Sequence, residues 1–369
     1  MSMIKPLIIS KKTKFTILDT IIPSYEKSFK SINIFIDVRT ILSGLFQKEF
    51  ASYIPTMRES ENLFLCAELI NIAAHYRLYF WNKRRMNSNI FFFYSGKAST
   101  RCLELDGDYK QDYLQRHGKN GEFPDVSNYV DSNLELFATM ATRLPYIFYI
   151  NSQTLDPNVV PSLIMKNEEF KDNVNLVLSN SIPMLQYINY PKTNVMTLKG
   201  DKSKVISPST IYDGLVKTSP CLDNLNFDSR LIIPILSISK DAKSGVIGWD
   251  KYAYIKAIKF FIDQVNKGIF TPKLEYNCKT FVSTLKKCKR VTDEQIDIAH
   301  VNYLIHSVYD NLLDMTDKEE IIINEQLVQL IDLDAVYEVN HRCFRENPIS
   351  LGYVVAGEEV SEDEEELFN

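Results

Sequence analysis

Short apolar, β-branched and aromatic runs recur between longer stretches of helical period, and this alternation is what most constrains the fold. Ile32–Ile36, Ile90–Tyr94, Tyr146–Ile150, Val174–Leu178 and Val195–Leu198 each read as a buried strand bounded by polar residues. Between the first two, residues 59–87 set Leu63, Leu65, Ala67, Leu69, Ile70, Ala73 and Ala74 at helical spacing, and Leu134–Leu144 follows the same period. Strand–helix alternation over residues 30–200 predicts an α/β fold with a mainly parallel central sheet flanked by helices. Lys204–Ile206 is expected to pair with the fifth strand as a hairpin. Residues 100–130, polar and charged with Tyr109, Tyr113 and Tyr129, are expected to be exposed helix and loop. From residue 230 the pattern turns helical, at 251–266, 291–313 and 319–332. The expected organisation is an α/β domain over 1–225, a helical domain over 226–355 and an acidic disordered tail over 356–369.

Composition narrows the function classes. At 369 residues the chain is long for one core, so two subdomains are the default. Only 12 residues are Gly, which argues against a glycine-built nucleotide loop, and no Walker A or GxSxG segment occurs. The wealth of Tyr, Phe, Ile, Asn and Lys is that of an AT-rich coding sequence and fits a phage, a virus or a low-GC bacterium. No stretch approaches 18 consecutive apolar residues, so no membrane span is expected, and residues 1–15 hold no secretory signal pattern. The six cysteines are scattered without a CxxC, the usage of buried free thiols in a reducing cytoplasm, which for a phage or viral protein is the host's. The five histidines show no HxH or HExxH spacing, so no zinc site is expected. Net charge is −5, but residues 357–369 carry seven acids and no base, and without those acids the net is +2. A body so close to neutral permits a local basic patch.

In a parallel sheet, functional groups collect beyond the carboxyl ends of the strands. Here those positions are Asp37, Ser95, the segment after Ile150 and the segment after Leu178. Phe35-Ile36-Asp37-Val38-Arg39 and Phe93-Tyr94-Ser95-Gly96-Lys97 resemble the first two strand ends of the 5′-nuclease family, which includes flap endonucleases and the phage RNase H type of 5′–3′ exonuclease. Arg101 and Tyr109-Lys110 are similar to that family's arch residues, and Asp156-Pro157-Asn158-Val159-Val160 to its "EADDV" segment. Ser179-Asn180-Ser181-Ile182-Pro183 resembles "SSDxD", and Lys240–Gly248 aligns without gaps to "GDKSDNIPG", the loop that opens the family's helix–three-turn–helix. The resemblance covers roughly residues 30–265. It implies a PIN-like α/β nuclease-type domain and a helical C-terminal part containing a helix–three-turn–helix-like element.

The departures from the family pattern concern its chemistry. A two-metal phosphodiesterase needs a cluster of carboxylates to hold hard divalent cations. Asp37, Asp156 and Asp241 retain an acid, whereas six acidic positions have become Ser95, Asn158, Val159, Ser181, Pro183 and Ser244. The resemblance therefore implies a vestigial site at Asp37, Ser95, Asp156, Asn158, Ser181, Asp241 and Ser244. Metal binding there would be absent or weak, through Asp37, Asp156 and Asp241, and no cofactor is expected unless Mg²⁺ serves an active form. Asp106, Asp108 or Asp201 could substitute as ligands in such a form.

The same resemblance assigns backbone contacts to DNA, branched or duplex, to Lys97, Arg101, Lys110, Lys243, Lys256 and Lys259. Further basic runs stand at Lys83-Arg84-Arg85, at Lys286-Lys287 and at Lys289-Arg290. A solvated helix face explains any single lysine equally well. The tail ends in Leu367-Phe368 behind its acids, the pattern of a peptide that docks on a sliding clamp or polymerase-type protein, although a purely solubilising tail has the same composition. Three functions fit: a catalytically degenerate 5′-nuclease-like DNA-binding accessory factor in phage or viral replication or transcription; an active Mg²⁺-dependent 5′–3′ exonuclease or flap endonuclease with altered ligands; and a structural or interaction protein reusing the scaffold.

Overall fold

The computed structural model describes residues 31–45, 64–96, 100–107, 109, 126–141, 143–144, 146–150, 156–167, 170–197, 204–206, 228–240, 247–250, 252–273 and 277–308. The helix expected at 319–332 and the acidic tail lie outside them. In chain order the elements are β1 (Ser31–Asp37), α1 (Val38–Leu45), α2 (Phe64–Arg84), β2 (Asn87–Phe93), α3 (Thr100–Leu105), α4 (Val126–Ala141), β3 (Ile147–Ile150), α5 (Val160–Lys166), β4 (Val174–Leu178), β5 (Thr193–Thr197), β6 (Lys204–Ile206), α6 (Ile232–Ile238), α7 (Tyr254–Asn266), α8 (Cys278–Leu285) and α9 (Asp293–His306). Short 3₁₀ turns occupy Pro157–Val159 and Ile182–Asn189. Among the described residues no helix is long and apolar enough to cross a membrane.

The strands form one sheet in the order β3-β2-β1-β4-β5-β6. All neighbours are parallel except β6, which pairs antiparallel with β5 as the expected hairpin. Both faces are covered, which is why the strands read as nearly continuous apolar runs. On one face Ile34, Ile36, Ile90, Phe92, Leu176 and Leu178 pack against α2 and α4 through Leu69, Phe80, Leu134 and Phe137. On the other, Phe35, Phe91, Phe148 and Val177 pack with Ile164, Leu236, Ile258, Phe261 and Tyr303. This second core takes residues from both sides of position 226, so the helices α6–α9 share it with the sheet.

The second face is built in three ranks across β2, β1 and β4. The middle rank is aromatic: Phe35 stacks on Phe91 at 5.3 Å and Phe91 on Phe148 at 4.8 Å. The rank toward the strand N-termini is amide. Asn89, Asn33 and Asn175 stand in register. Asn33 Nδ2 donates to Asn175 Oδ1 (3.0 Å) and to the Phe170 carbonyl (3.1 Å), while Asn33 Oδ1 accepts from Asn89 Nδ2 (3.1 Å) and Asn173 Nδ2 (2.9 Å). Asn33 is fully buried and all four of its bonds depend on this one register. The third rank, at the carboxyl ends, is the site described below.

Some boundaries differ from the sequence pattern for identifiable reasons. β2 starts three residues early, at Asn87, because buried Asn89 is satisfied by the amide rank. α4 starts at Val126 rather than Leu134, and its polar Asn133 turns inward to accept the Cys66 N–H (3.2 Å). Tyr109 and Tyr129 were expected to be exposed but are 1% and 8% accessible. Tyr109 packs with Cys102 and Ile305, which ties the α3 region to α9, and Tyr129 joins the α2–α4 core.

Replacing Asn33 by Ala leaves buried Asn89 and Asn175 without their Asn33 partner and removes the acceptor of half-buried Asn173. We expect a loss of about 2–4 kcal/mol, from the roughly 1–3 kcal/mol cost of each unsatisfied buried group. It would be read as a lower urea midpoint at unchanged slope.

Candidate functional site

Asp37 ends β1 and caps α1, and its side chain is fully buried. Its Oδ1 accepts from the Arg39 N–H (3.1 Å), as an N-cap side chain does, and from the Ser95 N–H (3.2 Å). Its Oδ2 accepts from Ser95 Oγ (2.7 Å) and from Ser179 Oγ (2.8 Å). Parallel strands ending together create this meeting point. Asp37 stands opposite Phe93 on β2, and Ser179 follows Leu178, the β4 partner of Ile36. Ser179 Oγ in turn accepts the Ser181 N–H (3.0 Å), and Thr40 Oγ1 accepts the Asn180 N–H (2.7 Å). One carboxylate thus knots the ends of β1, β2 and β4.

A second buried group lies where β3 gives way to α5. Asp156 Oδ1 caps the 3₁₀ turn by accepting the Asn158 N–H (2.8 Å), and its Oδ2 accepts from the Cys102 thiol (3.3 Å). The Asn158 carbonyl accepts from the Tyr187 hydroxyl (2.6 Å), whose oxygen accepts the Ser162 N–H (3.2 Å). Burial pushes the Tyr187 phenol well above its ordinary range, so it stays protonated and donates. The turn that carries Tyr187 also holds the end of α9. Gln186 donates to the His306 carbonyl (3.1 Å) and accepts the Val308 N–H (3.1 Å).

The structure therefore brings Asp37 and Ser95 into direct contact, and joins Ser181 to them by its backbone N–H. The hydroxyl that reaches Asp37 belongs to Ser179, not to Ser181. Asp156 and Asn158 form their own hydrogen-bonded group. Lys256 and Lys259 are exposed on α7. Arg101 lies in α3, but its side chain, together with Lys97, Lys110, Asp241, Lys243, Ser244, Leu367 and Phe368, lies outside the described residues. Sequence reasoning missed Ser179, Cys102 and Tyr187. Only Ser179 carried a usable signal, as the first residue past β4 and hence the register neighbour of Asp37.

The donor set can be tested against a pair of magnesium ions. A carboxylate offers about four lone-pair positions, and Asp37 fills four of them with protein donors. Both Asp156 oxygens also accept protein hydrogen bonds. Among the described residues no three His, Cys, Asp or Glu side chains converge. Mg²⁺ demands several oxygen ligands at once, and the described residues do not fit a two-metal centre.

The stem between α6 and α7 is tightly closed. Trp249 N–H donates to the Ile238 carbonyl (2.9 Å) and Lys240 N–H to that of Tyr252 (3.0 Å). A Cβ at Gly248 would meet Lys240 N at 2.2 Å and Ser239 C at 2.3 Å, so only glycine allows this approach. From α9, buried Asn302 Nδ2 bridges the carbonyls of Ser237 (3.0 Å) and Ile247 (2.8 Å).

No protein-family model matches the chain, and no curated protein matches its sequence. Solved structures do. A flap endonuclease of bacteriophage T5, in a pseudo-enzyme–product complex with DNA and metal ions, superposes with a TM-score of 0.53 at 10% identity, over 83% of this chain and 99% of that one. The T5 protein co-crystallized with metal ions gives 0.50 at 13% identity, over 82% and 99%. The fold is that of the 5′-nucleases, a mostly parallel six-stranded PIN-like sheet between helical layers.

Ser95→Ala and Ser179→Ala each remove a hydrogen bond to a buried carboxylate and should cost about 1.5–3 kcal/mol. The double variant, which leaves Oδ2 without its hydroxyl donors, should lose more than the sum, as a double-mutant cycle in urea would show. The buried phenols add a pH dependence. Burial raises Tyr187, Tyr76 and Tyr149, and pushes Tyr190 up to about 12. Unfolded phenols release their protons near pH ~10, whereas the folded ones keep them. Their contribution is therefore complete below pH ~10 and falls as pH rises above it, which unfolding midpoints at neutral and strongly alkaline pH would measure.

Proposed function

We propose that this protein is a catalytically degenerate 5′-nuclease-fold protein that binds DNA without cutting it, as an accessory factor of phage or viral replication or transcription. The observation that carries the reading is the filled carboxylate. Asp37 occupies the strand-end position where the family resemblance puts a metal ligand, and its acceptors are taken by Arg39, Ser95 and Ser179. A hydroxyl donor is the chemical opposite of a second carboxylate: it satisfies the negative charge where an acid would add to it. The pocket is stable without a cation, and a cation would have to displace hydrogen bonds to enter.

Support for DNA comes from the fold's solved neighbour, described as a complex with DNA and metal ions. It comes also from exposed Lys256 and Lys259, one helical turn apart beside the closed α6–α7 stem. Lysines so placed meet phosphates and set register without reading bases. The acidic tail with Leu367-Phe368 is proposed as a docking peptide for a clamp or polymerase-type partner.

A 5′-flap substrate incubated with the full chain in Mg²⁺ or Mn²⁺ should remain intact. Binding to the same DNA should be salt-dependent and indifferent to chelation by EDTA. Lys256→Gln with Lys259→Gln should lower the slope of log affinity against log salt by up to about 2. Divalent-dependent cleavage that Asp37→Asn abolishes would overturn the reading.

A further inference from the structure

The turn joining α8 to α9 carries Lys286, Lys287, Lys289 and Arg290, four cations in five residues. All are exposed, and among the described residues none makes an ion pair. The turn is rigidly mounted. Lys286, Lys287 and Cys288 donate their N–H groups to the carbonyls of Val282, Thr284 and Leu285 at 3.1, 3.0 and 2.9 Å. Cys288, between the cations, is 5% accessible and serves as an inward anchor. Phe281 of α8 stacks on Tyr303 of α9 at 4.4 Å and packs against Phe261 of α7 at 6.4 Å. The cations therefore stand on a packed three-helix platform rather than on a loose loop.

A second group of exposed charges stands on α7. On α7 the buried residues are Ala257, Ile258, Phe261 and Gln264, whereas Lys256, Lys259, Asp263 and Lys267 follow one another at helical spacing on the exposed face. Lys267 pairs with Asp263, and α7 is packed on α8 through Phe261 and Phe281, whose ring centroids are 6.4 Å apart. The exposed cations of α7 and those of the α8–α9 turn are thus carried by helices of one packed unit. From Lys256 to Lys267 the helix rises about 16 Å at about 1.5 Å per residue, the axial length of about five base pairs at 3.4 Å each. Among the described residues, Asp293, Glu294 and Asp297 are exposed on the first turns of α9, and Asp250 is exposed just before α7.

We infer that Lys286, Lys287, Lys289 and Arg290 form a second docking surface for the phosphate backbone of duplex DNA, reached by the duplex after it has met Lys256 and Lys259 on α7. The inference rests on the DNA-binding reading above and extends it. It makes the bound arm a duplex long enough to span both groups. The packed platform fixes the backbone that carries these cations, so binding a phosphate orders their side chains alone.

The test uses the full chain with Lys286, Lys287, Lys289 and Arg290 all changed to Gln, compared with wild type and with Lys256→Gln/Lys259→Gln, on blunt duplexes of graded length. Thermal melting shows that each variant is folded, and Lys286→Arg/Lys287→Arg/Lys289→Arg keeps the charge. Wild type should gain affinity as the duplex lengthens, and the quadruple Gln variant should lose that gain. Its salt slope should fall by about 2–4, at about 0.9 per phosphate contact, with the arginine variant at wild-type values. A quadruple variant whose slope and length dependence match wild type, while Lys256→Gln/Lys259→Gln weakens binding, overturns this inference alone. The same null result on DNA with loss of binding to a synthetic peptide of residues 357–369 overturns it in favour of an acidic peptide. Wild type without any salt-dependent DNA binding would instead overturn the proposed function.

Discussion

The ends of three parallel strands are held together by one buried negative charge. Asp37 would be costly to bury alone, since an isolated carboxylate in the interior forfeits its hydration. Ser95 and Ser179 replace that hydration with fixed hydroxyls, and the first turn of α1 supplies a peptide N–H. Everything at the carboxyl edge takes its position from this knot: the start of α1, the path of the chain after β2, and the turn that leads to Tyr187 and Gln186. The polar rank at this edge and the amide rank around Asn33 bracket the stacked phenylalanines. The sheet is thus pinned at both ends by groups that accept only one register.

The fold and the site at its strand ends are specified by different residues. The sheet of this protein depends on Ile34, Phe35, Phe91 and Val177, none of which would touch a metal or a substrate. The strand-end positions depend on what fills them, and here hydroxyls and amides stand where the family resemblance has acids. Serine beside a buried carboxylate is well matched to it. It is small, it donates to the neighbouring acid, and it adds no further negative charge beside it.

The central sheet was legible because burial on both faces imposes continuous apolar runs, and the antiparallel hairpin of β6 was legible from its spacing. The strand-end acid Asp37 was legible for the same reason: a charged residue directly after such a run has few other places to be. Ser181 was read as the site residue after β4 and Ser179 was not, because which of two serines reaches Asp37 is fixed by pairing with β1, a long-range property. Tyr109 read as exposed because its neighbours in sequence are charged, whereas its neighbours in space are Cys102 and Ile305. Asn33 and Asn89 read as interruptions of strands, and only the register of three strands turns them into a satisfied network. Polar residues whose partners lie about 50 to 140 positions away give no local signal.

The closed stem at Gly248 has a consequence for how the molecule could evolve or be engineered. Because the two limbs touch through backbone atoms, and Asn302 clasps them from a helix some fifty residues downstream, the mouth of this hairpin is set before any ligand arrives. The approach of the limbs rests on backbone atoms, and among the described residues the one side chain of α9 that holds it is Asn302. A change in the far helix at Asn302 should therefore retune the approach of the two limbs like a thumb on a clip.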